Sequence, residues 1–295
     1  MTAETSTDPV ATPAPKRGRA PRPLQFGREP ARVRWALRVL TIGYVFLLVA
    51  WPTSLVFKKA FEPGFGSFLD SLRQPEVGHA LYLTVYITFF AVLINLVFGM
   101  TVSILLVRFD FPGKRALSVL LDVPMSVSPV VVGLALVLVY NGRDGWFGPG
   151  LERAGFQVIF ASPGMIMATV FVALPLVIRE VVPVLEEIGE DQEQAARSLG
   201  ANWSQTFRRI TLPAIKWAVV YGVVLALARS IGEFGAVKIV SGNIEGQTMT
   251  ASQQVESAYQ NFEPGTAYAL AALLAFAAMA CLVVVAILRP KDTET

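Results

Sequence analysis

The residues best suited to chemistry in this chain are an arginine and a glutamate inside an apolar segment. Arg229 and Glu233 lie four residues apart in a long hydrophobic stretch. Side chains at this spacing share one side of a helix, so the two can form an ion pair. Charges within an apolar span are costly and face a cavity or a partner. Two interpretations follow: a structural pair that holds neighbouring helices together, or a polar lining of a substrate path or its gate.

The residues around this pair extend the candidate path. Gly232 and Gly235 predict a break in the helix, and irregular backbone at membrane depth is tolerated only where it lines a cavity or packs on protein. In an earlier apolar stretch, Ser126, Ser128 and Pro129 either expose backbone groups to a passing substrate or form a proline kink for packing. The candidate path or gate therefore comprises Ser126, Ser128, Pro129, Arg229, Ser230, Gly232, Glu233, Phe234 and Gly235.

Several other kinds of chemistry lack the residues they require. The chain has one cysteine, Cys281, and one histidine, His79, which excludes an intramolecular disulfide and a cysteine- or histidine-rich metal site. It also has no G-x-x-x-x-G-K-[ST] sequence and therefore no phosphate-binding P-loop. We expect no catalytic residue, metal or cofactor in this chain, and any energy from ATP must come from a partner.

The composition predicts a membrane protein. Hydrophobic residues make up 54% of the 295 residues and charged residues only 16%, whereas an ordinary soluble domain is about 25% charged. A membrane-spanning helix needs about 20 mostly apolar residues. Six stretches approach or exceed that length, which predicts an all-α polytopic protein with six transmembrane helices, at 35–57, 81–107, 116–140, 165–182, 215–240 and 267–288.

Both termini are predicted to be cytoplasmic. One topology places 18 of the 25 Lys and Arg residues on the inner side and five on the outer side, which agrees with the positive-inside rule. Residues 1–34, rich in proline and arginine, are predicted to be a disordered basic tail. A signal peptide is the alternative, but no A-x-A-like site follows the first apolar stretch. The membrane domain is predicted at 35–290, followed by a short cytoplasmic tail at 291–295.

The longest predicted cytoplasmic loop, at about 185–213, carries an apolar series at helical spacing. Its members are Ala196, Leu199, Trp203, Phe207 and Ile210. A glycine at position 200 permits an elbow between two short helices. The apolar face predicts either a helix lying in the membrane interface or a helix that docks into the groove of a soluble partner.

This loop resembles the EAA loop of ABC-importer permeases. The family pattern is E-A-A, three residues, G, nine residues, I, one residue, L-P, and the spacing agrees at every step. Gln194 replaces the usual Glu, with Glu193 just before it. In that family the loop forms coupling helices that sit in a cleft of the ATPase subunit. The resemblance assigns ATPase coupling to Glu193, Gln194, Ala195, Ala196, Leu199, Gly200, Ala201, Trp203, Phe207, Ile210, Leu212 and Pro213.

A second resemblance concerns the membrane segments and covers roughly residues 35–290. Residues 228–237 (ARSIGEFGAV), with 240–244 (VSGNI), are similar to sulfate and molybdate permeases. Residues 128–133 (SPVVVG) and 109–113 (FDFPG) are similar to them as well. Residues 175–183 (PLVIREVVP) are closer to the W-type sulfate/thiosulfate permease.

These resemblances imply the fold, partners and location of the chain. The fold would be that of a type I ABC-importer permease in a bacterial cytoplasmic membrane. The partners would be two ATP-binding subunits that hold ATP and Mg, a second T-type permease and an extracytoplasmic sulfate/thiosulfate-binding protein, with no nucleic acid. Translocation would proceed by alternating access.

Three alternatives remain open from the sequence. The first is a molybdate or tungstate permease with the same architecture. The second is a secondary anion transporter, which would be expected to show inverted repeats and a coupling-ion site. The third is a membrane-embedded enzyme, for which Arg229 and Glu233 are the candidates.

Overall fold

A computed structural model describes residues 31–288 of the chain. Helices, turns and bends make up the secondary structure of this range, and no strand occurs in it. The predicted tail at 1–34 lies outside the described residues except for its last four positions, and the tail at 291–295 lies outside them entirely. The chain divides into two compact units, Met1–Trp51 and Pro52–Thr295.

The first apolar stretch forms a continuous helical segment with one widened turn. Helix α1 (Ala31–Val45) continues through a π-helical turn (Phe46–Ala50) into helix α2 (Trp51–Phe61). The widened turn ends two residues before Pro52, whose ring clashes with the carbonyl one turn earlier and which has no N–H to donate. Residues Arg32–Phe61 are long and apolar enough to cross a membrane.

The second unit contains the remaining helices. In chain order they are α3 (Phe65–Leu72), α4 (Pro75–Arg108), α5 (Lys114–Ser126), α6 (Pro129–Tyr140), α7 (Gly148–Arg153), α8 (Ser162–Ile188), α9 (Asp191–Ser198), α10 (Trp203–Thr206), α11 (Leu212–Ile231), α12 (Gly235–Ser241), α13 (Ala251–Gln260) and α14 (Pro264–Leu288). A second π-helical turn, Phe207–Thr211, joins α10 to α11 just before Pro213.

Four of the six predicted stretches are single helical segments, and the two predicted at 116–140 and 215–240 are broken. Within residues 31–288, five helical segments are long and apolar enough to cross a membrane, or six if a bent pair is counted as one span. That pair is α5 and α6, which bend by 112° between Ser126 and Pro129. The stretch predicted at 215–240 ends as a long helix at Ile231 and resumes as the short α12. Both breaks fall where the sequence predicted them, because proline and glycine interrupt the helix there.

The centre of the second unit is a close crossing of three long helices. A Cβ atom added to Gly99 of α4 would lie 3.0 Å from Cβ of Val177 on α8. A Cβ atom added to Gly222 of α11 would lie 3.0 Å from Cα of the same valine. Small residues let helices in a membrane approach this closely. The apolar cluster around the crossing is fully buried at Ala173, Val177, Val181, Leu185, Ile215 and Ala226.

The two broken stretches pack against each other. A Cβ atom added to Gly133 of α6 would lie 2.8 Å from the carbonyl oxygen of Ala236 on α12. One added to Gly235 would lie 3.2 Å from Cβ of Pro129. The first turn of α6 therefore contacts the first turn of α12, so the two groups of candidate path residues meet in space.

Candidate functional site

The loop between α8 and α11 has the elbow that its sequence predicted. Helix α9 ends at Ser198, and Gly200 has a φ of +86°, in the left-handed region that favours glycine. Helix α10 then starts with a capping box. Oδ1 of Asn202 accepts from the backbone N–H of Gln205 at 2.9 Å, and Oε1 of Gln205 accepts from the backbone N–H of Asn202 at 3.0 Å. The chain thus turns sharply between two short helices.

The elbow separates the apolar positions that the spacing predicted on one face. Leu199 is 89% exposed and Trp203 62% exposed, whereas Ala196, Phe207 and Ile210 are half-buried. The left-handed Gly200 therefore divides this apolar series between two short helices, as the predicted elbow requires. The other loop residues assigned to coupling are half-buried at Ala201 and Leu212 and exposed at Gln194, Ala195, Gly200 and Pro213.

The exposed Trp203 and the half-buried Phe207 form an aromatic pair beside a cavity. The rings of Trp203 and Phe207 stack with centroids 5.6 Å apart and planes 5° from parallel. A cavity of about 370 Å³ opens between this pair and the end of α4. Its lining includes Arg108 and Arg197 as well as both rings. A partner that docks here would meet an apolar surface bordered by the guanidinium group of Arg197, whose side chain is 59% exposed.

A buried ion pair anchors the loop to the membrane helices. Arg108, the last residue of α4, donates from Nε and Nη2 to the carboxylate of Glu193 at 3.1 and 3.2 Å. It also donates to the carbonyl oxygens of Leu185 and Gly189 at 3.1 and 2.8 Å. The hydroxyl of Thr211 donates to Glu193 at 2.8 Å. The ends of α4, α8, α9 and α11 are thus tied together by one guanidinium–carboxylate pair.

This arrangement changes the interpretation of Glu193. The sequence assigned it to ATPase coupling, but its side chain is only 8% exposed and faces inward to Arg108. Its contribution is to hold the loop in position, while Gln194 beside it faces outward. Sequence reasoning overlooked Arg108 and Thr211. The available signal was that Arg108 is the first charged residue after Glu76 in an otherwise apolar helix.

The ion pair predicted from the spacing of Arg229 and Glu233 is present. Nη1 of Arg229 lies 2.7 Å from Oε2 of Glu233, with side-chain exposures of 40% and 2%. Helix α11 ends at Ile231, two residues before the glutamate. The other carboxylate oxygen, Oε1, accepts the backbone N–H of Ala236 at 3.0 Å and so caps the start of α12. Glu233 therefore pairs with Arg229 through one carboxylate oxygen and caps α12 through the other.

A line of polar groups continues from this pair along α13. The hydroxyl of Ser252 donates to the carbonyl oxygen of Glu233 at 2.8 Å. One turn later, Glu256 pairs with Lys238 of α12, and the Lys238 ammonium lies 5.1 Å from the ring centroid of Phe234. Sequence reasoning missed Lys238, Ser252 and Glu256, because nothing in the sequence of α13 predicts that it contacts α12.

The remaining path candidates occupy different environments. Ser126 and Ser128 are exposed at the bend between α5 and α6, and Pro129 is half-buried against Gly235. In the later segment Ser230 is buried and Gly232 exposed. The structure therefore brings Pro129 and Gly235 into contact, and Arg229 and Glu233 into a pair.

Comparison with known proteins gives one family and several similar sequences. The family described as "Binding-protein-dependent transport system inner membrane component" matches residues 95–291. The sulfate transport system permease protein CysW of Synechococcus elongatus is 45% identical over 87% of this chain and 89% of its own length. CysW of Escherichia coli K12 is 42% identical over 88% of this chain and 86% of its own length.

The fold is also similar to that of a solved transporter. One chain of a bacterial ABC transporter involved in the import of alginate superimposes with a TM-score of 0.71. The superposition covers 87% of this chain and 93% of that chain, at 17% sequence identity. At that identity the likeness concerns the fold alone.

Proposed function

The chain belongs to the family of binding-protein-dependent transport system inner membrane components, and we propose that it is the W-type permease subunit of an ABC importer for sulfate and thiosulfate. The observation that carries the proposal is its 42–45% identity to CysW sulfate permeases over most of both chains. The positive N-terminus of α6 and the half-exposed guanidinium of Arg229 suit an oxyanion. The chain itself performs no covalent chemistry.

The loop with the elbow is the element through which ATP drives this subunit. Two partner ATPase subunits bind ATP and Mg. Closure of the ATPase pair moves the docked loop, and the pathway between this chain and a T-type permease changes from inward-facing to outward-facing. The exposed Leu199 and Trp203 are the apolar groups that an ATPase cleft would cover. An extracytoplasmic binding protein delivers the anion, and the complex lies in a bacterial cytoplasmic membrane.

A reconstituted complex tests the proposed function. This chain, a T-type permease, the ATPase subunits and a sulfate-binding protein would be placed in liposomes, with a complex that lacks this chain as the control. We expect ATP-dependent uptake of labelled sulfate that excess thiosulfate inhibits and excess molybdate does not. Equal inhibition by molybdate would favour a molybdate permease. Uptake that needs an ion gradient and no ATPase would contradict the proposal and favour a secondary transporter.

Thiol labelling tests both the topology and the docking surface. In a Cys281→Ser background, single cysteines are placed at two exposed positions, Ser204 in the loop and Asn261 after α13. We expect an impermeant reagent outside intact cells to modify Asn261→Cys only. Ser204→Cys should react once the membrane is opened, and bound ATPase subunit should protect it, because the loop then lies in the cleft. The reverse labelling pattern would contradict the topology, and unprotected labelling would contradict docking.

A further inference from the structure

A small cavity beside the Arg229–Glu233 pair lies where five helices meet. Its nine lining residues come from α4, α8, α12 and the end of α11. They also include Glu233, which follows α11, and Thr250, which precedes α13. All of them except Ile231 are buried. They are Thr84, Ile87, Thr88, Thr169, Ser230, Ile231, Glu233, Val237 and Thr250. The volume of the cavity is about 10 Å³, which is room for a single water molecule.

Three buried polar atoms of this lining find no hydrogen-bond partner within residues 31–288. They are Oγ1 of Thr88, Oγ of Ser230 and Oε2 of Glu233. The Glu233 oxygen contacts Nη1 of Arg229 at 2.7 Å as an ion pair, but not with the geometry of a hydrogen bond. Buried polar groups without such a partner are costly, so a ligand that satisfies all three atoms would be held strongly.

The hydroxyl of Thr88 differs from its neighbours on the same helix. Thr84, Thr101 and Ser103 each donate to the carbonyl oxygen four residues earlier, at 2.7–2.8 Å. Thr169, across the cavity on α8, does the same at 2.9 Å. Such back-bonding is the ordinary way in which a helix satisfies a hydroxyl. Thr88 makes no such bond, which leaves its donor free for a group in the cavity.

We propose that this cavity binds one ordered water molecule that bridges Thr88, Ser230 and Glu233. Water accepts two hydrogen bonds and donates two. It can accept from both hydroxyls and donate to Oε2 of Glu233, which satisfies all three atoms at once and matches the roughly three bonds typical of a buried water. A cation fits less well, because the Arg229 guanidinium already lies against the same oxygen.

The bound water has a consequence for the ion pair. It gives the buried Glu233 carboxylate a permanent partner besides Arg229, just as the Ala236 N–H does for the other oxygen. Arg229 can then move away from Glu233 while the carboxylate keeps its hydrogen bond from the water. This part of the inference rests on the proposed function, because it frees a half-exposed guanidinium for the transported anion.

High-resolution maps of the assembled complex test the site directly. The wild type should show a density peak between Thr88 and Glu233, and Thr88→Val/Ser230→Ala should lose it because both donors are removed. Thr169→Val is the matched control, since its hydroxyl lines the same cavity but already donates to Met165, and it should keep the peak. A wild-type map that resolves other buried waters but not this one would overturn the proposal, as would a peak retained in the double variant.

Uptake of labelled sulfate tests the consequence separately. Thr88→Val/Ser230→Ala, compared at equal amounts of assembled complex, should lower uptake several-fold, because Arg229 is then bound more tightly by a carboxylate that has lost the water. Thr101→Val removes an exposed hydroxyl of the same helix that donates to Val97, and it should transport normally. A wild-type density peak with unchanged uptake in the double variant would restrict the water to a structural role and overturn the link to Arg229. Failure of sulfate transport by the wild type would contradict the proposed function and leave the density result standing.

Discussion

Neutralising the pair of half-exposed Arg229 and buried Glu233 with Arg229→Met/Glu233→Gln is expected to leave the complex assembled but to lower labelled-sulfate uptake more than tenfold. Removing Arg229 alone leaves the buried Glu233 carboxylate without its counter-charge, which is costly, so a single variant confuses folding with function. The double variant removes both charges together. The glutamine keeps a side-chain oxygen that can accept the Ala236 N–H, so the start of α12 stays capped while the cation is lost.

An exposed ion pair supplies the control for this experiment. Lys59 and Glu62 lie 2.7 Å apart with side chains about half exposed, and Lys59→Met/Glu62→Gln makes the same change of charge. That control should transport at the wild-type rate when the amounts of assembled complex are matched. Near-normal uptake in the Arg229→Met/Glu233→Gln variant would mean that the pair is only structural, and the pathway role of both residues would have to be withdrawn.

Arg108→Ala is expected to destabilise the chain by about 3–5 kcal/mol, the usual cost of breaking a buried ion pair. Both partners are less than a tenth exposed, and the variant also strips two carbonyl oxygens, of Leu185 and Gly189, of their donor. The loop that follows α8 should then be cut more rapidly by protease. The measurements are the thermal unfolding midpoint of the purified complex and the rate of cleavage in residues 189–202.

Two further variants distinguish the loss of the Arg108–Glu193 ion pair, here called the clamp, from a general effect of charge. Arg179→Ala breaks a pair with Asp122 in which both side chains are about half exposed, and such pairs contribute about 0–1 kcal/mol. The apolar replacement Arg108→Met/Glu193→Leu should recover much of the lost stability, because it leaves no charge uncompensated. If Arg108→Ala unfolded at the same temperature as Arg179→Ala, the clamp would not hold the loop.

Much of the helical framework could be predicted from the sequence, because the relevant signals are local. Apolar length gives the long helices, and Pro129, Gly232 and Gly235 mark the breaks. The left-handed turn at Gly200 belongs to the same class, since it depends on one residue type at one position. The sequence did not reveal how far the third stretch bends. The 112° angle depends on how α6 packs against α12.

The candidate site was predicted only where its partners are close in sequence. The Arg229–Glu233 pair follows from helical spacing. The Arg108–Glu193 pair joins residues 85 positions apart, and the Lys238–Glu256 pair joins two helices across a turn. Neither separation in sequence corresponds to a helical repeat from which a contact could be predicted. The same holds for the cavity at Thr88, since only the packed helices show that its hydroxyl is left without a back-bond.

The crossing at Val177 has a mechanical consequence for the whole subunit. Gly99 and Gly222 bring α4 and α11 against the same residue of α8. The three helices therefore contact one another at the same position along their axes. Leu212, beside the clamp, lies about 15 Å along α11 on one side of that position, and Arg229 about 10 Å on the other, at 1.5 Å per residue. If the proposed ATPase coupling tilts α11 about this contact, an inward movement at Leu212 would become a smaller outward movement at Arg229, because the two lie on opposite sides of the crossing.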